Sequence, residues 1–186
     1  KDIPAVFHRK FNGIVKTVTI SMTPSGKYFA SVLVDTNLQE VPLSPKNIDT
    51  AIGIDLGVKN LAICSNGMVF KNHKHLQKSL NRLAFLQKGL SRKTKGSANR
   101  EKARRKVARL HERISNQRKD TLHKITYRLT HDNQVRTICM EDLNIKGMTR
   151  NHHLAQSIND ASFGIFCTML EYKCRWYGVN LVKIDR

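Results

Sequence analysis

The stretch that decides the fold is Ala51–Phe70, AIGIDLGVKNLAICSNGMVF. AIGID is a short apolar run ending in an acid, LAICS is a second, and MVF follows the tight-turn residues of SNG as a third. Strands with such short connections pair antiparallel, so the first three strands form an antiparallel start whose leading strand delivers Asp55 at its end. Gly57, two residues on, lets backbone or substrate approach closely. GIDLG is not a phosphate loop, because it lacks the GxxxxGK[ST] spacing and the helix start that this motif needs.

Downstream, QVRTICMEDLN (Gln134–Asn144) holds another strand, Val135–Met140, again ending in an acid, Glu141. A helix is expected from about Leu154 to Tyr177, with Phe163, Phe166, Leu170 and Cys174 on one face. VNLVKID then closes as a last strand. The order β-β-β-α-α-β-α-β is an antiparallel start followed by strands joined through helical crossovers, which give right-handed parallel pairs. That is the order of a ribonuclease H-like mixed sheet, an α/β fold.

Between the two halves lies a basic insert. The 186 residues carry a formal charge of +19, with a pI near 10.2. From Lys71 to Lys124 there are 18 Lys or Arg against three acids, Glu101, Glu112 and Asp120. The rest of the chain is close to neutral. Leu76, Leu80, Leu83, Leu86 or Phe85, and Leu90 recur at helical steps, as do Val107, Leu110, Ile114, Leu122, Ile125 and Leu129. SRKTKGS between them reads as a turn, with Ser97 placed to cap the second helix. The expected unit is an antiparallel helical hairpin over about residues 73–130. Arg92, Lys93, Lys95, Arg100, Lys102, Arg104, Arg105, Lys106 and Arg109 crowd its other faces. Solvated helices usually mix both signs, so one sign alone points to phosphate-backbone contact. Phe85 and Tyr127 are the aromatics of the insert, one near each end, which gives base stacking poor support there.

Upstream, IVKTVTISM and KYFASVLVD with TPSG between them read as a β-hairpin, too little to stand alone, and VPLSPKN reads as a linker. No apolar run approaches the roughly 18 residues of a membrane helix, and KDIPAVFHRK has no apolar core of a signal peptide. Cys64, Cys139, Cys167 and Cys174 form no CxxC pair, so a reduced cytoplasmic compartment is the default. So much positive charge implies a polyanionic partner, most often nucleic acid.

Asp55 and Glu141 both end strands that the crossover should set side by side, and chemistry in open α/β sheets gathers at the carboxyl ends of strands. Two carboxylates there suit a cation between them, and Mg²⁺ tolerates water and phosphate oxygens as further ligands. The plainer alternative is a turn Asp and a helix-start Glu.

GIDLGVKNLA (Gly53–Ala62) and MEDLNIKGM (Met140–Met148) resemble the RuvC-like motifs of the transposon-encoded TnpB (OrfB) family, related to the type V CRISPR effector nucleases. KGSANREKARRKVARLHERISNQRKDTLHKI, QSINDASFGIFCTMLEYKCRWYG and GIVKTVTISMTPSGKYFASV resemble it too, so the likeness covers nearly the whole chain. The resemblance implies an RNA-guided DNA endonuclease whose partners are a guide RNA from the transposon end and target DNA. It implies a RuvC-like site using Mg²⁺ or Mn²⁺, with Asp55 and Glu141 as catalytic carboxylates and metal ligands and Asp142 beside the second. Residues 1–49 would be the C-terminal part of a β-rich wedge-like domain, and 50–186 a RuvC-like nuclease domain, incomplete at its C-terminus, carrying the hairpin. The expected location is the prokaryotic cytoplasm, on the nucleoid when DNA is bound, with no membrane.

The family pattern continues into a four-cysteine ribbon holding structural Zn²⁺ and then a third catalytic Asp, whereas VNLVKIDR comes before both. Asp160 and Asp185 fall at neither position. The chain is therefore expected to be a central fragment or part of a longer protein, not fully active alone. The alternative is a nuclease-inactive RNA- or DNA-binding or guided regulatory protein, which would bind phosphates without Mg²⁺. A DDE-type transposase shares the fold but not these motifs. His152 and His153 have no ligand-spaced partner and read as a loop contact, Cys167 and Cys174 as buried apolar cysteines, and Trp176 and Tyr177 as core.

Overall fold

The computed structural model describes residues 4–7, 10–36, 41–45, 50–132 and 135–185. The chain divides into two compact units, Lys1–Gln39 and Glu40–Arg186.

In the first unit, β1 (Ile14–Met22) and β2 (Tyr28–Asp35) form an antiparallel ribbon with Ile20 opposite Ala30. Thr23 and Gly26 close its turn; Thr23 N donates to Lys27 O (2.8 Å), and Gly26 takes φ +88°, which a glycine adopts without cost. A β-bulge between Val15 and Thr17 interrupts the register.

The second unit is built on a five-stranded mixed sheet. β3 (Ala51–Leu56), β4 (Asn60–Cys64) and β5 (Val69–Lys71) form the antiparallel meander, and β6 (Thr137–Glu141) and β7 (Asn180–Ile184) add parallel to β3, in the order β5-β4-β3-β6-β7. One sheet face buries Ile52, Ile54, Cys64, Ile138 and Met140, which cluster with Leu122, Ile125, Leu129, Phe166 and Leu170 from the helices. The opposite face carries Asp55, Ile63, Glu141 and Ile184, all exposed or half-buried. Strand alternation alone makes that division: partners across the ladder share a face, and neighbours along a strand do not.

The helices are α1 (Leu80–Ser91), α2 (Ala98–Tyr127), α3 (Ile145–Met148), α4 (His152–Ala161) and α5 (Phe163–Tyr177). Ser97 caps α2 as its position in the sequence predicts, accepting from Arg100 N at 3.2 Å. At its far end α2 passes into a π-helical turn, Arg128–Asp132. There the Lys173 ammonium donates to His123 O (2.6 Å) and Thr126 Oγ1 (2.9 Å), a side chain inserted into the helix ladder of the kind that perturbs its pitch. Burial lowers the Lys173 pKa.

Three expectations are corrected. The helix expected over 154–177 is two helices, because Ser162 adopts φ +58° between them; NDAS, residues 159–162, is rich in types that favour turns over helix interiors. The VPLSP part of the expected linker is docked: Ser44 N donates to Gly178 O (2.8 Å), and Asn180 Nδ2 donates to Ser44 O (2.7 Å). The KN that follows lies outside the described residues. Trp176 is 65% exposed and Tyr177 is exposed too, because the buried stripe of α5 is taken by Phe163, Phe166, Leu170 and Cys174; Trp176 meets Tyr172 edge-on, and Tyr177 meets Tyr127 and His131. Gly178 ends α5 at φ +67°, where an added Cβ would meet Pro42 O at 2.7 Å. Gly178→Ala is expected to cost at least about 2 kcal/mol, since left-handed strain alone is ~1–2 kcal/mol and the docked 41–45 segment must also shift. A fall in the urea midpoint at unchanged slope checks it.

Candidate functional site

The parallel register of β3 and β6 pairs Ile52 with Ile138 and Ile54 with Met140. One step further along both strands stand Asp55 and Glu141. Adjacent strands lie roughly 5 Å apart, so the two backbones are neighbours and both side chains leave the same face, opposite the one on which Ile54 and Met140 pack with the helices. Glu141 is also paired with Ile184 of β7. Asp55 is opposite Ile63 of β4, which leaves it exposed. Gly53 sits two residues before Asp55 on that face, and a Cβ there would reach only Ser65, at 3.8 Å. The floor beside Asp55 is therefore open. Gly57 makes the tight turn after β3, where a Cβ would meet Asn60 O at 3.0 Å.

Among the described residues, Asp142, Asp160 and Asp185 do not join this pair. Asp142 alternates to the helix-covered side, where its charge acts on Lys183 and Cys167. Asp185 follows β7 and is exposed. Asp160, on α4, is buried far along the sheet's helical cover. Its Oδ1 accepts from Leu76 N (2.9 Å) and from Arg118 Nε (3.0 Å), and its Oδ2 from Gln77 N (3.1 Å). Nearby, His75 Nε2 meets Thr121 Oγ1 at 3.0 Å, and burial, then the His73 charge, lowers the His75 pKa. This carboxylate is spent on holding the 72–79 connection and α2 against α4.

Two hard oxygen donors at an open strand end fit Mg²⁺, which commonly takes one or two carboxylates and completes its shell with water and phosphate. Among the described residues no group of three or more His, Cys, Asp or Glu gathers. Burial pushes Cys174 up to about 12 and raises Cys64 and Cys167, which disfavours a thiolate at those three. The side chains of His152 and His153 lie outside the described residues.

The nine basic residues singled out from the sequence separate into two groups. Arg100 Nη1 donates to Leu90 O (3.1 Å) and Lys93 O (2.9 Å), so it ties off the end of α1. Arg104 forms a two-point pair with Glu101 (2.8 and 2.7 Å), and Arg105 reaches the same carboxylate at 3.2 Å. The Arg104 hydrogen bonds first, and Arg105 after them, hold Glu101 down at about 2. Arg92, Lys93, Lys95, Lys102, Lys106 and Arg109 are exposed and, among the described residues, are not ion-paired to an acid. Sequence reading could not make that distinction, because it depends on which carbonyls and carboxylates the hairpin brings within reach.

Residues 31–152 match the OrfB_IS605 family, described as "Probable transposase". A "Putative RNA-guided DNA endonuclease" of Streptomyces pristinaespiralis is 45% identical over 170 residues, covering 91% of this chain and 41% of that protein. InsQ of Escherichia coli K12, described in the same words, is 33% identical over 191 residues, covering 95% of this chain and 46% of its own. The chain thus spans under half the length of these relatives. Among solved structures, a CRISPR-Cas12f ternary complex is similar in fold, with TM-score 0.56 at 19% identity, over 91% of this chain and 34% of that one. Among the described residues no helix is long and apolar enough to cross a membrane.

Proposed function

Because this chain belongs to the IS605 OrfB (TnpB) family, we propose that it forms the ribonuclease H-like (RuvC-like) core of an RNA-guided DNA endonuclease that acts with guide RNA and target DNA. The sheet order, three antiparallel strands and then two parallel ones, supports the fold reading. The division at residue 39–40 is compatible with a separate β-rich wedge-like domain ahead of the core. The observation that carries the function is the placement of Asp55 and Glu141 side by side at the ends of adjacent parallel strands, on the sheet face opposite the one on which Ile54 and Met140 pack with the helices.

Asp55 and Glu141 would hold Mg²⁺ or Mn²⁺, which when bound makes a coordinated water a better nucleophile and offsets charge on a phosphodiester. The chain's own part is to fix two carboxylates on rigid strands, so that their spacing is set by the ladder and not by a loop. Gly53 leaves room beside Asp55 for a phosphate, and Asp142 is turned away. The hairpin cations hold the nucleic-acid backbone. Arg92, Lys93, Lys95, Lys102, Lys106 and Arg109 are placed to do so directly, while Arg100, Arg104 and Arg105 chiefly shape the helices that present them.

A guided cleavage assay on the intact protein tests this reading. Cleavage should require Mg²⁺ or Mn²⁺ and stop with EDTA, while RNA binding persists. Guided binding without any metal-dependent cutting would favour the nuclease-inactive alternative. Changing Lys102, Lys106 and Arg109 together to Gln should reduce the slope of log K against log salt by about two, since each phosphate contact contributes roughly 0.7–0.9. A slope unchanged by the triple substitution would remove the hairpin from the interface.

A further inference from the structure

The sequence gives base stacking little support in the basic insert, but the folded hairpin puts Phe85 in an unusual place. Its side chain is 73% exposed on α1, although it is large and apolar. It does not stand on open surface. A hollow of about 280 Å³ on one side is lined by Phe85, Leu86, Gly89, Lys93, Lys102 and Lys106, among others. A second of about 460 Å³ on the other side adds Arg82, Arg109, Leu110 and Arg113. Phe85, Leu86 and Lys106 line both, so the ring forms part of the divide between them. Six cations surround this divide and no acid lines either hollow. Gly89 lines the first hollow, and the space at its Cβ position is open, with no atom within 4 Å.

The geometry points to Phe85 as a stacking ridge for unpaired nucleobases, with Lys93, Lys102, Lys106, Arg82, Arg109 and Arg113 holding the phosphates on either side. This rests on the nucleic-acid reading of the hairpin given above and adds to it a preference for single-stranded over duplex segments. The occupant follows from complementarity. An all-cationic rim selects a polyanion, and an exposed aromatic between apolar-floored hollows selects a polyanion with flat faces to stack. Duplex bases are stacked on each other and offer no such face, whereas an unpaired strand does.

The test uses the intact protein freed of RNA. Binding is measured to an oligouridylate and an oligothymidylate of about 12 nucleotides and to duplex DNA of similar length, each across a salt series. Phe85→Ala is expected to weaken single-strand binding about tenfold, within the roughly 1–3 kcal/mol of one base–aromatic stack, and to leave the salt slope and duplex binding unchanged. Phe85→Tyr should retain binding, because it keeps the ring. Gly89→Leu puts bulk into the hollow beside the ring while leaving every charge in place, and should weaken single-strand binding as well. A loss confined to the RNA or to the DNA strand sustains the inference and identifies which strand the ridge reads. Equal loss on single strand and duplex, no loss with Phe85→Ala, or a Phe85→Tyr as weak as Phe85→Ala overturns it. If the unaltered protein shows no salt-dependent binding to any probe, the hairpin reading itself fails.

Discussion

Asp55→Ala in the intact protein is expected to lower metal-dependent DNA cleavage by at least about 10³-fold, roughly 4 kcal/mol of transition-state stabilisation, with guide RNA binding largely retained. Among the described residues Asp55 and Glu141 are the paired carboxylates of this strand end, so removing Asp55 leaves Glu141 without its partner for a divalent cation. It is exposed at a strand end and buries little on folding. Its loss should therefore change stability by no more than about 0.5 kcal/mol. That separation of effects is what marks a functional carboxylate. A second readout needs no catalysis: Mg²⁺ should raise the melting temperature of the unaltered protein and do so less for Asp55→Asn, because a ligand that binds only the folded state stabilises it by mass action. Glu141→Gln should reproduce both results. If Asp55→Ala cuts DNA normally, the assignment of the site is wrong; if Asp55→Asn responds to Mg²⁺ as the unaltered protein does, the metal assignment is wrong.

Asp160→Ala is expected to do the reverse, destabilising the fold by about 3–5 kcal/mol, the usual cost of removing one partner from a buried ion pair. Its side chain is 5% exposed and the partner guanidinium of Arg118 is 20% exposed. Without the carboxylate, Arg118 loses its counter-charge, and the backbone N–H groups of Leu76 and Gln77 lose their acceptor. Against a total stability of about 5–15 kcal/mol the loss is large enough to read directly as a lower urea midpoint. The double variant Asp160→Ala, Arg118→Leu should recover part of it, because no unpaired charge remains. No recovery would mean that the backbone N–H contacts, and not the ion pair, carry the effect. Asp55 and Asp160 are both aspartates of one domain, yet one stands at an exposed strand end and the other accepts from three donors. Their variants should accordingly fail in different assays.

Much of the framework was legible before the structure. The apolar runs of Ala51–Phe70, the acids at 55 and 141, the Ser97 cap and the single-sign charge of the insert are all local patterns, and local patterns survive whatever the chain does elsewhere. The departures have separate causes. The Leu154–Tyr177 helix breaks at Ser162 because the local run NDAS favours a turn, VPLSP docks on the turn at Gly178, a neighbour distant in sequence, and Trp176 stands in solvent off the buried stripe of α5.

The sequence by itself determined which segments are strands, where the basic charge concentrates and which acids end strands, since side-chain periodicity and charge are properties of short stretches. Only the tertiary structure decided which groups share a neighbourhood. The register of Ile54 against Met140 brings Asp55 beside Glu141, the approach of α4 to α2 commits Asp160 to Arg118, and the close of the hairpin turns Arg100 inward and leaves Phe85 standing between cations. The physical reason is the range of the interactions. Strand pairing, buried ion pairing and exposure depend on segments tens of residues apart being packed together, and no short window of sequence contains both partners.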